Sequence, residues 1–443
     1  MFKNKKIFIL GMARSGYEAA KVLAKYNNEI LITDSKEQNI EKVKELEALG
    51  VKFVLTNEAE ELFNETFDVV VKNPGIKINH PVCIKAQNLN IPVTNEVEVA
   101  YSFLPKDIKV IGISGSNGKT TTTTIIYEIL KKAGLPAILG GNIGFPVCSL
   151  VENVKSGDIL VLEVSSHQLH DIVNFKTNIS VLTNLSEVHI DHFGTYENYK
   201  AQKIKIFNKH TKNDLAILNA ENIDSMEYDS QIDSNKLYFS SKKTNTNAYV
   251  KNNAIYFNNE KIIALDEIQI KGNHNYENIM CAIMAVKQLN VSNEIIKSVL
   301  SEFKGVEHRL EYVCEKNGIY FYNDSKSTNV KSTQIALSAF NNQTILLLGG
   351  LDRGHSFDEL KGFLGNTKLI VCYGQTKERI KEFADKLNIN CIVVNTLEEA
   401  TNKAYENAKE EDVILLSPAC ASWDQYDNFE VRGEEFKKII AKL

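Results

Sequence analysis

The chain has 443 residues, too many for one hydrophobic core and enough for about three domains of ordinary size. Its 43% hydrophobic and 24% charged residues are an ordinary globular composition, and a net charge of -5 excludes the general basic field that nucleic acid or an anionic membrane surface would demand. No apolar run approaches the ~20 residues that span a bilayer. The seven cysteines are scattered without a C-x-x-C pair, which argues against a zinc site or disulfide framework and for a reducing, cytoplasmic setting.

Lys3, Lys5 and Lys6 precede a short apolar run in the manner of a signal peptide, but Arg14 follows at once, so the run is read as a first strand. Strands over 6–10, 30–33, 52–55 and 68–71 alternate with helices over 15–26 and 37–49, the pattern of a Rossmann-like half. Its first turn is Gly11-Met12-Ala13-Arg14-Ser15-Gly16, and Asp34 closes the second strand. Ala13 stands at the second glycine of a dinucleotide fingerprint, so NAD is not supported. A nucleotide-diphosphate ligand and a purely structural turn both remain open. Residues 96–106 read as a helical connector.

A second αβ domain follows. The run Gly115-Ser116-Asn117-Gly118-Lys119-Thr120-Thr121 lies between the apolar residues 109–112 and a helical segment. Strand, glycine-rich turn and helix form the context of a phosphate loop, in which backbone N–H groups and a helix N-terminus face one anion. Lys119 is placed to reach terminal phosphates and Thr120 to ligate Mg²⁺. The strict G-x-x-x-x-G-K-[ST] pattern fails, since Ile113 occupies the first glycine position. Apolar strands then end at Glu163 and near Asn184, the latter leading to His189. Carboxyl ends of parallel strands are where ligands collect, and Glu163 is a hard oxygen donor suited to Mg²⁺. On its residues alone, the helix over 196–209, with Lys200, Lys203, Lys205 and Lys209, reads as a solvated cationic face. Residues 237–270 read as short antiparallel strands turning at Asn252-Asn253 and Asn258-Asn259. From Gly305 a third, doubly wound α/β unit is expected, with strands over 344–348, 369–373, 391–394 and 413–416. Three polar runs fall at or near its strand ends: Asn323 to Asn329, Leu348 to Gly354, and Ser417 to Tyr426.

Taken together, the phosphate loop, Glu163-Val164-Ser165-Ser166, Asn184 to Asp191, His274-Asn275 with Asn278, His308-Arg309 and Asn323-Asp324-Ser325-Lys326 resemble the Mur ligase family in kind and order. The resemblance covers essentially the whole chain. It implies three domains: a Rossmann-like UDP-binding domain over 1–100, a central P-loop ATPase-like αβ domain with small antiparallel strands over 101–304, and a doubly wound Rossmann-like domain over 305–443. The run Asn428-Phe429-Glu430-Val431-Arg432-Gly433, and the absence of Asp-Asn-Pro-Arg, point to the family's D-glutamate-adding activity. The implied reaction joins D-glutamate to UDP-N-acetylmuramoyl-L-alanine through an acyl phosphate, in cytoplasmic peptidoglycan precursor synthesis by a monomer. An L-alanine-adding relative, a folylpolyglutamate-type synthetase and a non-catalytic nucleotide-binding protein stay open as alternatives.

The same resemblance assigns residues. Gly115, Ser116, Asn117, Gly118, Lys119, Thr120 and Thr121 would hold the ATP phosphates, and Asn275, Asn278, Arg309 and Asp324 the rest of the nucleotide. Thr120 and Glu163 would hold one Mg²⁺, and His189 and Lys203 another, with Lys203 carbamylated by CO₂. Met12, Ala13, Arg14, Ser15, Asp34, Ser35 and Asn73 would cradle UDP, with Asn142 reaching the same substrate. Thr328, Arg353, Ser422 and Phe429 would hold D-glutamate. Trp423 and Tyr426 stand where a smaller aliphatic residue and a Phe are common.

Overall fold

The computed structural model describes residues 2–187 and 190–443. The chain forms two compact units, one ending at Phe303 and one beginning at Lys304. The first unit holds two sheets. Five parallel strands, β1 (Lys6–Leu10), β2 (Glu29–Asp34), β3 (Lys52–Leu55), β4 (Val69–Lys72) and β5 (Val93–Thr94), lie in the order β3-β2-β1-β4-β5. The order reverses between β1 and β4, and the crevice outside that switch point is where such sheets bind ligands.

The second sheet has nine strands: β6 (Lys109–Ser114), β7 (Ala137–Gly141), β8 (Ile159–Glu163), β9 (Ile179–Leu182), β10 (Leu215–Asn219), β11 (Asn235–Ser240), β12 (Ala248–Lys251), β13 (Ala254–Phe257) and β14 (Glu260–Ala264). Their order is β14-β13-β12-β11-β10-β9-β6-β8-β7, so β6 lies between β9 and β8. Apolar strands are expected where helices cover both faces. Accordingly Ile111, Ile113, Val161, Val181 and Ile217 pack on one face, and Leu160, Leu162, Leu182, Ala216 and Leu218 on the other. The helix Lys119–Lys132 covers the first face with Ile125, Ile126, Ile129 and Leu130, spaced at one helical stripe.

The expectation of antiparallel strands across 237–270 needs correcting in its first part. β11 pairs in parallel with both β10 and β12, and only β12–β13 and β13–β14 are antiparallel hairpins. Those two hairpins turn through Asn252-Asn253 and Asn258-Asn259, all four at positive φ, the twist that two-residue turns require. Between β11 and β12 no such pair occurs.

The two sheets of this unit share a core that runs from Ile7 and Ile32 through Val97 and Val99 to Leu160 and Leu162. The helix Glu96–Phe103 is the seam. Its Glu98 is fully buried and accepts the backbone N–H groups of Val173, Asn174 and Phe175 at 2.9, 2.7 and 2.9 Å. A buried carboxylate is tolerated there because three donors replace its water.

The second unit is a six-stranded sheet of β15 (Glu311–Lys316), β16 (Ile319–Asn323), β17 (Thr344–Gly349), β18 (Thr367–Tyr373), β19 (Cys391–Val393) and β20 (Val413–Leu416), in the order β15-β16-β20-β17-β18-β19. All neighbours are parallel except the β15–β16 hairpin. β20 returns between β16 and β17, so the ends of these three strands lie side by side. Among the described residues, no helix is long and apolar enough to cross a membrane.

Candidate functional site

The phosphate loop leaves β6 at Ser114 and enters its helix at Lys119. Gly115 has φ +141° and Gly118 φ +81°, conformations that L side chains rarely adopt. Space excludes side chains as well: a Cβ on Gly115 would lie 2.0 Å from Thr183 Oγ1, and one on Gly118 2.1 Å from Asn278 Oδ1. The segment after β9 clamps the loop. Ser116 N–H donates to Asn184 O at 2.8 Å, Asn117 N–H to Asn184 Oδ1 at 3.0 Å, and Thr183 Oγ1 to Asn117 O at 2.6 Å. Lys119 Nζ donates to the carbonyls of Gly115 and Ser116, each at 2.8 Å, which holds the ammonium against the loop. Ile113 explains the failed pattern. It is a fully buried strand residue paired with Glu163 and Val181, and the turn begins only at Gly115.

Glu163 ends β8 directly beside β6. Its side chain is buried, and Asn142 binds it twice, Nδ2 to Oε1 at 2.7 Å and N–H to the Glu163 carbonyl at 2.8 Å. Lys203, on the helix Tyr196–Ile204, is only 2% exposed, and its Nζ donates to Ser114 Oγ at 3.2 Å. Burial, then the positive charge of Lys119, push the Lys203 amine well below its ordinary pKa, while Glu163 pulls weakly the other way. A lysine so placed gives up its proton more readily than a surface lysine, which exposes the nitrogen lone pair a nucleophile needs. Lys119, Glu163 and Lys203 thus share one electrostatic neighbourhood. Thr120 is buried in the first turn of the loop helix, with Thr121 half-buried beside it. Asn278, on the helix Asn273–Lys287, accepts from Thr122 Oγ1 at 3.4 Å, and Asn275 is half-buried near the start of that helix. His189 lies outside the described residues.

The helix bearing Lys203 ends at Ile204, short of the expected 209, and of the four lysines read as a solvated cationic face only Lys209, beyond its end, is exposed. Lys200 is buried, with its Nζ 2.9 Å from Glu227 Oε2 and 3.6 Å from Asp224 Oδ1, and half-buried Lys205 donates to His170 O at 2.8 Å. The partners lie far off in sequence, and so leave no local signal.

At the switch point of the first sheet, Met12 N–H donates to Asp34 Oδ2 at 2.8 Å and Asn73 Nδ2 to Ser15 Oγ at 2.9 Å. Ala13 carries φ +25°, and Ser35 is exposed beside Asp34. Arg14 reaches across to the carbonyl of Gly144 at 2.8 Å, two residues beyond Asn142. This unit therefore gathers Met12 to Ser15, Asp34 and Asn73 at one crevice and links it to the Asn142–Glu163 corner.

In the second unit, Asp324 follows β16. Burial pushes its carboxyl up to about 6, against hydrogen bonds that include Ser417 Oγ at 2.7 Å and Leu310 N–H at 3.1 Å. Arg309, half-buried, immediately precedes Leu310. Ser422 is buried after β20, and the adjacent Trp423 carries the Arg353 guanidinium 4.8 Å above its ring. The runs bearing these residues are stitched by Gly349 N–H to Pro418 O at 3.0 Å and Leu351 N–H to Ala421 O at 2.9 Å. Phe429 accepts through its carbonyl from Ser325 Oγ at 2.8 Å, and Lys326 Nζ sits 5.7 Å above its ring. Thr328 is half-buried two residues beyond. Sequence reasoning passed over Arg432. This fully buried side chain donates to Ser325 Oγ at 3.0 Å, Ser325 O at 2.8 Å and Cys420 O at 3.1 Å, and so fastens two of the three runs to the helix Phe429–Lys442. The run Asn428 to Gly433 contained it, but nothing local distinguished it from a surface arginine. Glu307, His308 and Glu434 also cluster within 4.8 Å, but Lys437 stands among them, 2.6 Å from Glu434, and supplies the cation.

Family models match most of the chain: the Mur ligase MurD-like N-terminal domain over residues 5–95, the Mur ligase middle domain over 113–286, and the Mur ligase glutamate ligase domain over 308–420. This chain belongs to the Mur ligase family. The UDP-N-acetylmuramoylalanine–D-glutamate ligase of Geobacillus kaustophilus (strain HTA426) is 44% identical over 447 residues, spanning 100% of this chain and 98% of that protein. The enzyme of that name from Bacillus cereus (strain G9842) is 42% identical over 446 residues, with 100% and 98% covered. Among solved structures, the UDP-N-acetylmuramate-alanine ligase MurC from Thermotoga maritima superposes with a TM-score of 0.59 at 19% identity, covering 99% of both chains. MurF ligase from Thermotoga maritima, solved in complex with ADP, gives 0.56 at 15% identity over 100% of this chain and 97% of that one. The two structures carry the fold: the three-domain Mur ligase architecture.

Proposed function

We propose that this Mur ligase is an ATP-dependent ligase that adds D-glutamate to UDP-N-acetylmuramoyl-L-alanine. Full-length identity of 44% to a D-glutamate ligase carries the reading. The clustering of Lys119, Glu163, Lys203 and Ser114 beside a phosphate loop supports the chemistry. Backbone N–H groups of residues 116–121 and the start of the helix Lys119–Lys132 receive the ATP phosphates, and Lys119 swings from the loop carbonyls onto the γ-phosphate. The L-alanyl carboxylate oxygen attacks phosphorus, the bond to ADP breaks, and an acyl phosphate forms. The neutral amine of D-glutamate then attacks the acyl carbon. Phosphate leaves with the bridging oxygen, and the amine loses its proton. Both steps build charge on oxygen, so fixed cations matter more than acids.

A hydroxyl and a buried carboxylate beside the loop, Thr120 and Glu163, form a donor set that fits Mg²⁺. An ammonium would not serve such a cation, but burial and the Lys119 charge favour the neutral amine of Lys203. Its nitrogen can add to CO₂, with loss of one proton, to give a carbamate whose oxygens can. Lys203 in that form and His189 would hold a second Mg²⁺, and the bound metals would neutralise phosphoryl oxygen charge. Asn142 orients Glu163 and so the substrate end nearest it. Met12, Ala13, Arg14, Ser15, Asp34, Ser35 and Asn73 take the UDP. Asn275, Asn278, Arg309 and Asp324 take the nucleoside of ATP. Thr328, Arg353, Ser422 and Phe429 take D-glutamate, with Arg353 suited to a bidentate carboxylate contact. A reaction using ATP and a UDP-sugar belongs in the cytoplasm. The test is ATP-dependent phosphate release with UDP-N-acetylmuramoyl-L-alanine and a panel of amino acids. Turnover with D-glutamate is expected. Silence with D-glutamate and turnover with another amino acid would overturn the reading.

A further inference from the structure

Lys72 ends β4 with its side chain 1% exposed, and Asp171, 4% exposed, ends the helix Ser166–His170 of the neighbouring sheet. Nζ and Oδ2 are 3.0 Å apart, a charge-assisted contact between two buried groups. The other oxygen, Oδ1, meets His170 Nδ1 at 2.5 Å. Burial would raise the Asp171 carboxyl, but the His170 hydrogen bond and the Lys72 charge outweigh it and hold it below the usual range.

A buried ion pair is a poor source of stability, because desolvation cancels most of the attraction. What it supplies is geometry, and here the geometry concerns the turn 73–76. Lys72 Nζ donates to Ile76 O at 3.0 Å. The start of the turn is fixed by Asn73, whose N–H donates to Leu10 O at 2.9 Å and whose side chain reaches Ser15. Lys72 is thus the clasp at the other end. The turn lies over the first glycine of the loop after β1: a Cβ on Gly11 would sit 2.8 Å from Ile76 Cδ1. On the far side, the helix that Asp171 ends begins three residues after Glu163, and Thr94 Oγ1 and Asn95 Nδ2 bind its end at Asp171 O (3.0 Å) and Gln168 O (2.6 Å).

We propose that Lys72 and Asp171 are positioning residues that lock the turn 73–76 to the Glu163 side of the unit, so that the uridine end and the reacting end of the UDP-substrate are held at a fixed separation. The inference rests on the reading above that Asn73 touches the UDP moiety. Neither residue contacts substrate.

The test compares K72M, the charge-neutral pair K72M/D171N, and N73A in the full chain. The measurements are kcat, KM for each substrate, thermal midpoint, and calorimetric titration with UDP alone. In K72M/D171N, which leaves no lone buried charge, KM for UDP-N-acetylmuramoyl-L-alanine should rise about tenfold, the size of one loosened charge-assisted hydrogen bond. KM for ATP and D-glutamate should stay within about twofold. K72M alone should lower the midpoint further, because it strands Asp171. If the double variant loses thermal stability while every KM is unchanged, the pair is merely structural and the proposal is overturned. N73A separates the foundations. If N73A leaves UDP binding intact, the reading of the turn fails. If N73A weakens UDP binding and K72M/D171N does not, the positioning role fails.

Discussion

Glu96 is the sharpest test of the buried seam in the first unit. It opens the helix Glu96–Phe103, is 2% exposed, and accepts the backbone N–H of Cys148 just beyond loop 142–146. Burial pushes its carboxyl up to about 7 from an ordinary 4.5, against the Cys148 hydrogen bonds. Between those two values the folded chain keeps a proton that the unfolded chain has lost. Stability therefore falls as pH rises from about 4.5 to about 7, and is level above that. The shift, 7 minus 4.5, is 2.5 pH units, or about 3 kcal/mol at about 1.4 kcal/mol each. Glu96→Gln keeps the shape and the acceptor but cannot ionise. Urea unfolding of both proteins, followed by circular dichroism between pH 5 and pH 8, isolates the term, because every other titration cancels in the difference. The variant should gain most of that ~3 kcal/mol over wild type as pH rises across the window. Parallel pH profiles would refute the assignment of a buried, proton-holding Glu96.

Other perturbations address the phosphate site. Lys203→Ala should lower kcat at least about 100-fold, and formate or acetate should restore part of it as surrogate oxygen ligands; full activity in the plain variant would remove Lys203 from the site. Gly118→Ala adds a Cβ in a left-handed conformation 2.1 Å from Asn278 Oδ1, so ATP KM should rise about tenfold or more while UDP titration is unchanged. Gly50→Ala is the control: φ is +82° but nothing lies within 4 Å of the new atom, so about 1 kcal/mol of stability is lost and every KM is retained.

Much of this architecture was legible because apolar strands announce themselves. β8 and β17 are buried along their whole length, and each is followed or ended by a residue of different character, Glu163 or Gly349, which marks a ligand-facing end. The phosphate loop was readable from its strand-turn-helix context despite Ile113. Pairing direction was less legible. β11 reads like one of the antiparallel strands that follow it, although only their hairpins have Asn-Asn turns; it pairs in parallel with β12 and with β10, which precedes it across residues 220–234. Lys203 was visible only through resemblance, since four lysines on one helix look like a solvated face until tertiary packing buries two of them. Side chains whose partners are remote leave no periodic trace. Lys72 meets Asp171, Glu98 meets residues 173–175, and Arg432 meets Ser325 across 107 positions. Local propensity and spacing carry no information about such contacts.

The central claim is that the L-alanyl carboxylate is activated by phosphorylation and then captured by D-glutamate. It is tested most directly by supplying UDP-N-acetylmuramoyl-L-alanine labelled with ¹⁸O in both carboxylate oxygens, together with ATP and D-glutamate. Mass spectrometry of the phosphate and of the new amide then follows the label. The acyl-phosphate route predicts one ¹⁸O in each released phosphate and one retained in the amide carbonyl. Amide product accompanied by unlabelled phosphate would contradict it.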